Sequence, residues 1–427
     1  MKRQRLNVVA WMTLLLLLSH YCRGEAQSDS QSTVIMIGID GLRPSAIDTV
    51  PAKNLRHLAK TGVRAKSLIP VMPTKTFVNF YSIATGLYPE HHGMISNAPY
   101  DRRLARTFNV SKDVRDPQWW LGEPIWISAE KQGVKTATYF WVGSEVVIDG
   151  IQPRYWKPYQ QNKDYAERVN EVLAWLDLPA AQRPRLITLY FSAVDTAVHH
   201  FGVDSEGERE AILRVDQHIG RLLEGLEQRN MADSTDIIVV SDHGMADVSS
   251  ERLINLDNWL DVSDWIIPEW RTSDEDVNSP FLSLFTTPAN VARAYQLLKN
   301  ADPHLQVYRP ADYPEHYHFS HPDRIPDLML LATPGWEIYA SRDAKYQGKT
   351  PTKKIMGAAH GYDNHSPQMQ ATFIASGPDF IENVQVAPFE NVEVYGLVAC
   401  LLDIKPTKND GDVQRVAHLL KKPCHKL

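Results

Sequence analysis

Runs of apolar residues alternate along this chain with segments of helical periodicity. Three runs are apolar at almost every position, over residues 33–39, Leu186–Phe191 and Ile237–Val240, and a further strand is expected over Ala371–Ala375. Uninterrupted apolar runs of this length are typical of strands covered on both faces, as in a parallel sheet. The pattern therefore predicts a buried central sheet.

Helices are expected between these strands. Apolar residues three and four positions apart predict helices over Asn54–Lys60, over Asp164–Leu176 and around Ile212–Leu226, while Thr76–Thr85 is a shorter helix that Gly86 stops. A terminal helix follows the last strand. Alternating strands and helices predict an α/β fold with a doubly wound, mostly parallel sheet and helices on both faces.

The pattern loosens from about residue 253 to residue 352, where tryptophans, prolines and a short acidic run accumulate. We interpret this segment as a smaller α+β subdomain inserted into the main fold. The prediction is therefore one catalytic domain, residues 27–427, that carries an insertion beside its site.

The first 26 residues have the pattern of a secretory signal peptide. Lys2, Arg3 and Arg5 precede an apolar stretch from Val8 to Leu18, and Gly24-Glu25-Ala26 supplies a cleavage site with small residues. That stretch is short for a bilayer span, and no other stretch has spanning length. We expect a mature chain without a membrane span, secreted or periplasmic.

Composition narrows the function classes. The 427 residues are 43% hydrophobic and 22% charged, with a net charge of −6, so no basic excess indicates a nucleic-acid surface. Of the three cysteines, Cys22 would leave with the signal peptide, and Cys400 and Cys424 could pair in an oxidising compartment. They are not spaced as a zinc knuckle, so a metal site must come from histidine and aspartate.

Carboxylates and imidazoles follow three of the predicted strands. In an open α/β sheet, groups placed just after strands converge at one edge. With a histidine near the C-terminus and a threonine hydroxyl at a helix start, they make seven candidate donors for two zinc ions: Asp40, Thr76, Asp195, His199, Asp242, His243 and His360.

This donor set predicts a metal-dependent hydrolase. Two zinc ions about 4 Å apart suit an in-line phosphoryl displacement. Metal coordination would activate the weakly nucleophilic Thr76 hydroxyl, and the backbone donors of a helix N-terminus would face the phosphate.

The motifs around these residues are long and ordered. They include Ile-Gly-Ile-Asp40-Gly-Leu-Arg, Pro-Thr-Lys75-Thr76-Phe77-Val-Asn, Tyr-Phe-Trp141-Val-Gly-Ser-Glu145, Asp195-Thr-Ala-Val-His199, Ser-Asp242-His243-Gly-Met and His360-Gly-Tyr-Asp-Asn. From about Thr33 to Leu420 the chain resembles the nucleotide pyrophosphatase/phosphodiesterase family of the alkaline phosphatase superfamily.

The resemblance implies a division of the donors. One zinc would bind Asp195, His199 and His360, and the second would bind Asp40, Asp242 and His243. Thr76, bound to the second ion, would attack phosphorus and form a covalent phospho-threonine that water then hydrolyses. Asn97 matches the position that hydrogen-bonds a phosphoryl oxygen. The products would be nucleoside 5′-monophosphates, from nucleotide diesters or pyrophosphates.

The same resemblance implies a slot in which a nucleobase stacks between Phe77 and Tyr159, with Trp141 nearby and Lys75 next to the nucleophile. Stacking tolerates different bases. Core packing is the alternative role for Trp141 and Tyr159. Departures from the family pattern lie here, since Val78 and Val142 stand where proline is usual and Phe80 where histidine is common.

Four other functions compete with this one. Relatives that cleave choline phosphodiesters would need carboxylates and aromatic rings around a quaternary ammonium, for which Glu145 and Trp141 are candidates. A phosphomonoesterase is disfavoured because no third-metal set is evident, and a sulfatase because no Cys-x-Pro-x-Arg motif occurs. A non-catalytic binding protein is disfavoured because every ligand position is filled.

Overall fold

A computed structural model describes residues 32–269, 276–341 and 356–424 of the chain. The predicted signal peptide, residues 1–26, lies outside the described residues, as do parts of the predicted insertion. Within the described ranges, no helix combines the length and the apolar character that a bilayer crossing requires.

Twenty strands form the described sheets. They are β1 (Thr33–Ile39), β2 (Val63–Ala65), β3 (Leu68–Ile69), β4 (Tyr100–Asp101), β5 (Arg106–Thr107), β6 (Thr136–Tyr139), β7 (Tyr155–Lys157), β8 (Leu186–Phe191), β9 (Thr235–Val240), β10 (Ala246–Asp247), β11 (Leu253–Asn255), β12 (Asp276–Ser279), β13 (Phe281–Leu284), β14 (Leu305–Tyr308), β15 (Leu328–Ala332), β16 (Glu337–Ser341), β17 (Ala358–Ala359), β18 (Phe373–Ser376), β19 (Val384–Val386) and β20 (Phe389–Glu390).

Eleven α-helices are present in the same ranges. They are α1 (Pro44–Thr49), α2 (Lys53–Thr61), α3 (Thr76–Thr85), α4 (Pro89–His92), α5 (Val110–Asp113), α6 (Ile125–Lys131), α7 (Tyr165–Leu176), α8 (Ala193–Phe201), α9 (Glu206–Gln228), α10 (Pro288–Leu298) and α11 (Glu393–Leu401). The helices predicted over Asn54–Lys60, Thr76–Thr85 and Asp164–Leu176 are confirmed to within one residue at each end, whereas α9 contains the predicted Ile212–Leu226 but begins six residues earlier, at Glu206. Asp164 is the N-cap of α7, because its side chain accepts from the Ala166 and Glu167 amides.

The main sheet has eight strands in the order β19-β2-β18-β9-β1-β8-β6-β7. Strand β1 lies parallel to both β8 and β9, and β18 is antiparallel to its two neighbours, β9 and β2. All residues of β1, β8 and β9 are buried, which explains their uninterrupted apolar sequence. The predicted doubly wound α/β fold is confirmed.

Two differences from the predicted strands have local causes. The last strand of the core begins at Phe373 instead of Ala371, because Ala371 forms an isolated bridge with Leu68. The last two strands on one side of the sheet, β6 and the edge strand β7, were not predicted, since Thr-Ala-Thr-Tyr and Tyr-Trp-Lys contain no apolar run.

The described part of residues 253–341 forms two three-stranded sheets, β11-β16-β12 and β13-β15-β14, together with helix α10. Its buried side chains, such as Leu282, Leu298 and Leu330, form a cluster separate from that of the main sheet. This cluster also takes in Tyr362, two residues after His360. We therefore propose that the described part of residues 253–352 forms an α+β subdomain packed against the site.

A disulfide joins Cys400 and Cys424, whose Cα atoms lie 5.2 Å apart. It connects α11 to the last described residues of the chain. The structure therefore contains the Cys400–Cys424 pair that the sequence allowed.

Candidate metal centre and active site

The register of the central strands brings the predicted donors together. Ile39, the last residue of β1, pairs with Phe191, the last residue of β8, and Gly38 pairs with Val240 at the end of β9. The three strands thus end at the same level. Asp40, Asp195 and Asp242 follow these ends and meet at one edge of the sheet, as the sequence predicted.

Each of these carboxylates has a buried oxygen that lacks a hydrogen bond, and Asp40 and Asp242 are buried as whole residues whereas Asp195 is half-buried. Asp40 accepts from the Tyr190 hydroxyl through Oδ2, and Asp242 accepts from the Gly41 amide through Oδ1, at 3.1 Å. Within the described ranges, Asp40 Oδ1, Asp242 Oδ2 and Asp195 Oδ1 have no hydrogen-bond partner. Buried oxygens of this kind are costly unless another ligand, such as a cation, satisfies them.

The three imidazoles have a common arrangement. The Nδ1 atoms of His199, His243 and His360 lie 2.8, 3.1 and 2.7 Å from the backbone oxygens of Ala358, Gly244 and Thr74. Because a carbonyl oxygen only accepts, Nδ1 carries the hydrogen and the Nε2 lone pair is available. Such second-shell contacts typically orient metal-binding histidines.

The free Nε2 atoms face the unpartnered carboxylate oxygens. His243 Nε2 lies 2.9 Å from Asp242 Oδ2 and 3.5 Å from Asp40 Oδ1. Asp195 Oδ1 lies 3.3 Å from His199 Nε2 and 3.8 Å from His360 Nε2. Lone pairs that face each other at such distances repel, and a cation between them would convert this repulsion into attraction.

Two groups of donors are close enough to hold an ion. Asp195, His199 and His360 form one, with all ligand atoms within 4.8 Å of one another, and Asp40, Asp195 and His243 form the other. The first is the set that the resemblance implied for one zinc. In the second, Asp195 stands where Asp242 was expected, although Asp242 Oδ2 lies beside His243. The residues present fit the predicted metals.

The electrostatics of the cluster also favour a cation. Burial raises the pKa of Asp242 to about 7, and burial together with the charges of Asp242 and Asp195 raises the pKa of Asp40 well above its ordinary value. Burial lowers the pKa of His243, and burial and then the neighbouring His243 lower that of His360. The rings of these two histidines stack at 3.6 Å. The site therefore combines crowded carboxylates with neutral imidazoles, as a divalent cation requires.

The Asp195–His199 pair behaves differently. Burial would raise the pKa of Asp195, but the neighbouring His199, whose Nε2 lies 3.3 Å from Asp195 Oδ1, brings it below its ordinary value. Partial desolvation would lower the pKa of His199, but the proximity of Asp195 raises it above its ordinary value. The two residues lie one turn apart on α8, which confirms the predicted helical turn.

Thr76 is the first residue of α3, and its Oγ1 lies 3.4 Å from His243 Nε2. The hydroxyl thus reaches the metal-binding edge with the helix N-terminus behind it. Lys75 donates from Nζ to the His360 carbonyl oxygen at 2.9 Å, so the residue before the candidate nucleophile is hydrogen-bonded to a candidate metal ligand. Asn97 accepts from the Phe77 amide through Oδ1 at 2.9 Å, which places its amide group beside the start of α3.

The two aromatic residues proposed to hold a base belong to different clusters. Phe77 is half-buried, with its ring 6.0 Å from Phe108 and 6.2 Å from Trp120. Tyr159 is 44% exposed, and its ring lies 5.3 Å from Phe140 and 6.2 Å from Tyr190. Tyr159 therefore offers a free aromatic face, as a stacking residue needs.

Trp141 and Glu145 have structural partners. Trp141 is buried, and its indole nitrogen donates to the Phe80 carbonyl oxygen at 3.0 Å. Glu145 accepts from the Tyr159 amide through Oε1 at 2.8 Å and from Arg115 through Oε2. Trp141 is therefore a core-packing residue, which was the alternative role considered for it, and Glu145 holds the backbone of Tyr159.

Three residues at the site were missed by the sequence reasoning. Tyr190 donates to Asp40, Thr74 accepts from His360, and the buried Arg168 donates to the Tyr190 carbonyl oxygen at 2.7 Å. Tyr190 lies inside an apolar run and Arg168 inside a helical pattern, so neither carried a signal of its own. Thr74 could have been suspected only from its position two residues before Thr76.

The doubly wound sheet and the histidine–aspartate site are those of the alkaline phosphatase superfamily. The family described as type I phosphodiesterase / nucleotide pyrophosphatase matches residues 34–363, and the chain belongs to that family. It is 39% identical over 401 residues to a venom phosphodiesterase of Crotalus durissus collilineatus, and 38% identical over 400 residues to ectonucleotide pyrophosphatase/phosphodiesterase family member 3 of Bos taurus.

Each of these alignments covers 92% of this chain but only 47% and 44% of the relatives, so the chain spans about half the length of the curated relatives it matches. Solved structures agree with the fold. The murine ectonucleotide pyrophosphatase/phosphodiesterase 5, as an inactive threonine-to-alanine variant in complex with AMP, superposes with a TM-score of 0.83 at 28% identity, covering 91% of this chain and 100% of that one. The human form gives the same TM-score at 29% identity.

Proposed function

We propose that this protein is a two-zinc phosphodiesterase that hydrolyses nucleotide diesters or pyrophosphates and releases nucleoside 5′-monophosphates. One observation carries the proposal. The buried, unpartnered oxygens of three aspartates face the Nε2 atoms of three histidines, and the Thr76 hydroxyl lies 3.4 Å from one of those nitrogens. Such a set of donors beside a hydroxyl at a helix N-terminus suits phosphoryl transfer.

In the proposed reaction, Thr76 Oγ1 attacks phosphorus while its proton passes to solvent. The bond between phosphorus and the leaving-group oxygen breaks, and that oxygen departs with the electron pair. Water then attacks the phospho-threonine, so that the Thr76 Oγ1–phosphorus bond breaks and the hydroxyl is regenerated. Zinc, when bound, supplies a Lewis acid for these oxygens. Asn97 and the backbone amides at the start of α3 would bind phosphoryl oxygens.

Nucleotides are the substrate class that the site favours. Tyr159 presents an exposed ring and Phe77 a half-buried one, and both lie on segments that border the donor set. The structural relative solved with AMP indicates that this fold accommodates a nucleoside monophosphate. The venom relatives are named as phosphodiesterases. A nucleotide ester with a base on Tyr159 is therefore our proposed substrate.

The choline-diester alternative is less well supported by the same residues. Recognition of a quaternary ammonium needs an open aromatic face and an available carboxylate. Trp141 is buried in the core, and both oxygens of Glu145 already accept hydrogen bonds from Tyr159 and Arg115. Neither residue that favoured choline at the sequence level is available to bind it.

The experiment that tests the proposal compares two esters with one leaving group. We would measure kcat/KM of the zinc-loaded protein on the p-nitrophenyl ester of thymidine 5′-monophosphate and on p-nitrophenyl phosphorylcholine. Preference for the thymidine ester would support the base slot, and we expect Tyr159→Ala to reduce that preference. Preference for the choline ester would overturn the substrate class, and hydrolysis of neither ester would overturn the catalytic proposal.

We also propose that residues 1–26 direct secretion and are then removed. The sequence pattern supports this, and several relatives are named as venom enzymes. N-terminal sequencing of the protein collected from the medium or periplasm of an expressing cell tests it. A first residue near Gln27 is expected, and retention of Met1 would contradict the proposal.

A further inference from the structure

Tyr190 lies at the end of β8, five residues before Asp195, and pairs in register with Gly38 of β1. It is buried, and its hydroxyl donates a hydrogen bond to Asp40 Oδ2. The contact joins residues 150 positions apart in the chain. A phenol hydroxyl thus reaches one oxygen of the aspartate that ends the first strand.

This contact divides the two oxygens of Asp40 between two roles. Oδ2 is occupied by Tyr190, whereas Oδ1 has no hydrogen-bond partner in the described chain and lies 3.5 Å from His243 Nε2. A carboxylate without a fixed partner can rotate about its Cβ–Cγ bond and exchange its oxygens. With Tyr190 in place, the rotation is restrained and Oδ1 remains directed at the other donors.

The ring of Tyr190 is itself held in place by its neighbours. Phe80 packs edge-on against it at 5.4 Å and 87°, and Tyr159 packs at 6.2 Å and 61°. The Tyr190 backbone oxygen accepts from the buried Arg168 at 2.7 Å. A side chain restrained at the ring and at the backbone can position the group that its hydroxyl contacts.

We propose that Tyr190 is a positioning residue that holds Asp40 so that Oδ1 is presented to the metal. The proposal rests on the proposed function, because it takes Asp40 as a zinc ligand. Partners of metal-binding residues typically change metal affinity by about 10–100-fold when they are removed. We expect loss of the Tyr190 hydroxyl to weaken the zinc bound by Asp40 to that extent and to leave the other zinc unaffected.

The test is Tyr190→Phe, which removes the hydroxyl and keeps the ring that packs on Phe80 and Tyr159. Zinc affinities of the metal-stripped protein would be measured by competition with a chromophoric chelator. The matched control is Tyr165→Phe. Tyr165 is half-buried, and its hydroxyl accepts from the Ser192 amide at 3.2 Å and lies 3.4 Å from Ser192 Oγ, but it contacts no proposed ligand. We expect the control to keep both zinc affinities.

A purely structural role for Tyr190 predicts a different result. The variant would then lose stability in chelator but keep both zinc affinities, and that outcome would overturn the proposal. Combination with Asp40→Asn adds a second check, because a hydroxyl that acts through Asp40 should cause no further loss in that background. An equal loss in both backgrounds would also overturn it.

Failure of the proposed function would be distinguishable from failure of this inference. If the unmodified protein binds no zinc, both the proposed cofactor and the role of Tyr190 fail. If it binds two zinc ions and hydrolyses the thymidine ester while Tyr190→Phe binds both ions equally well, only the role of Tyr190 fails.

Discussion

The Nδ1 atom of His360 lies 2.7 Å from the backbone oxygen of Thr74, two residues before the candidate nucleophile. The Thr74 hydroxyl completes the connection, since it donates to the Tyr362 oxygen and accepts from the Gly361 amide, both at 2.9 Å. Together with the bond from Lys75 Nζ to the His360 oxygen, four hydrogen bonds therefore join the loop that leads to Thr76 with the segment that carries His360. A displacement of either would move both a candidate metal ligand and the hydroxyl.

Thr74→Val should impair activity as well as stability. The change keeps the side-chain volume but leaves the Gly361 amide and the Tyr362 oxygen without a partner in a buried place, which costs about 1–3 kcal/mol. Because these groups flank His360, we also expect kcat/KM on the thymidine ester to fall by roughly 10-fold or more. Urea unfolding and steady-state kinetics measure the two effects.

The matched control for this variant is Thr85→Val. Thr85 is also fully buried, and its hydroxyl donates to the Tyr81 oxygen and accepts from the Leu87 amide, away from the donors. We expect a similar loss of stability with kcat/KM retained. Equal losses of activity in both variants would show that Thr74 acts only through stability.

Thr76→Ala tests the nucleophile. We expect near-complete loss of thymidine-ester hydrolysis because the variant lacks the hydroxyl proposed as the nucleophile, with the zinc content nearly unchanged because Asp and His supply most donors. Activity and zinc content of the purified protein are the measurements. Thr196→Ala, an exposed threonine on α8, serves as the control. Full activity of Thr76→Ala would exclude the phospho-threonine intermediate.

Much of this site could be predicted from the sequence because the candidate ligands directly follow the ends of the central strands. Asp40, Asp195 and Asp242 follow apolar runs that could only be central strands, and the rule for strand ends then placed them together. Their partners were not predictable in the same way. Tyr190 contacts Asp40 across 150 residues and Thr74 contacts His360 across 286, and no local pattern encodes such tertiary contacts.

The roles of Trp141 and Glu145 could not be predicted from the sequence either. A tryptophan in a loop motif is compatible with stacking or with packing, and only the hydrogen bond to Phe80 and the burial of the ring distinguish the two. For a glutamate, the difference between a ligand-binding and a structural carboxylate depends on its partners. Here Arg115 lies 30 residues away from Glu145 in the sequence.

Arg168→Met should weaken nucleotide binding. Arg168 is fully buried and donates to the backbone oxygens of Tyr190 and Lys163, with no carboxylate partner in the described ranges. It thereby ties the segment after Tyr159 to the end of β8. Without it we expect a less ordered Tyr159 and a KM for the thymidine ester raised roughly 10-fold, equivalent to about 1.4 kcal/mol.

The measurement for Arg168→Met is a comparison of kcat and KM with those of Arg221→Met. Arg221 lies on α9, is exposed and, among the residues that the structure describes, hydrogen-bonds only to Asn170, so this control should behave as the unmodified protein. A fall in kcat with unchanged KM would contradict the proposed role, because it would place the effect on the chemical step.

Removal of metal should lower both activity and thermal stability. In the metal-free protein the unpartnered oxygens of Asp40, Asp195 and Asp242 are crowded together, so an ion that binds only the folded state stabilises it by about 2.7 kcal/mol at 100 times its Kd. We expect a chelator to abolish hydrolysis and lower Tm, and zinc to restore both. Restoration by calcium alone would contradict the histidine-containing sites, because calcium prefers oxygen ligands.

Asp236 should make the protein less stable as the pH rises. It lies on β9 far from the strand ends that carry the donors, fully buried, with Oδ2 unpartnered in the part of the chain that the structure describes. Burial raises the pKa of Asp236 to about 7 from an ordinary 3.8, and the charge of Asp379 contributes in the same direction. The folded chain therefore keeps a proton that the unfolded chain has lost.

Between these two pKa values the unfolded state binds fewer protons than the folded state, so the free energy of unfolding falls as pH rises from about 4 to 7. Asp236→Asn removes the ionisation and lets the introduced amide donate to Asp379. We expect this variant to gain roughly 1–3 kcal/mol relative to the unmodified protein at pH 8 and little at pH 4. Urea unfolding of the zinc-loaded proteins across this range measures the difference.

Asp177→Asn is the control. Hydrogen bonding to Arg229 holds the pKa of Asp177 below its ordinary value, so loss of the Asp177 carboxylate cannot remove the fall in unfolding free energy between pH 4 and 7. A pH profile of Asp236→Asn parallel to that of the unmodified protein would show that Asp236 is ionised in the folded state throughout.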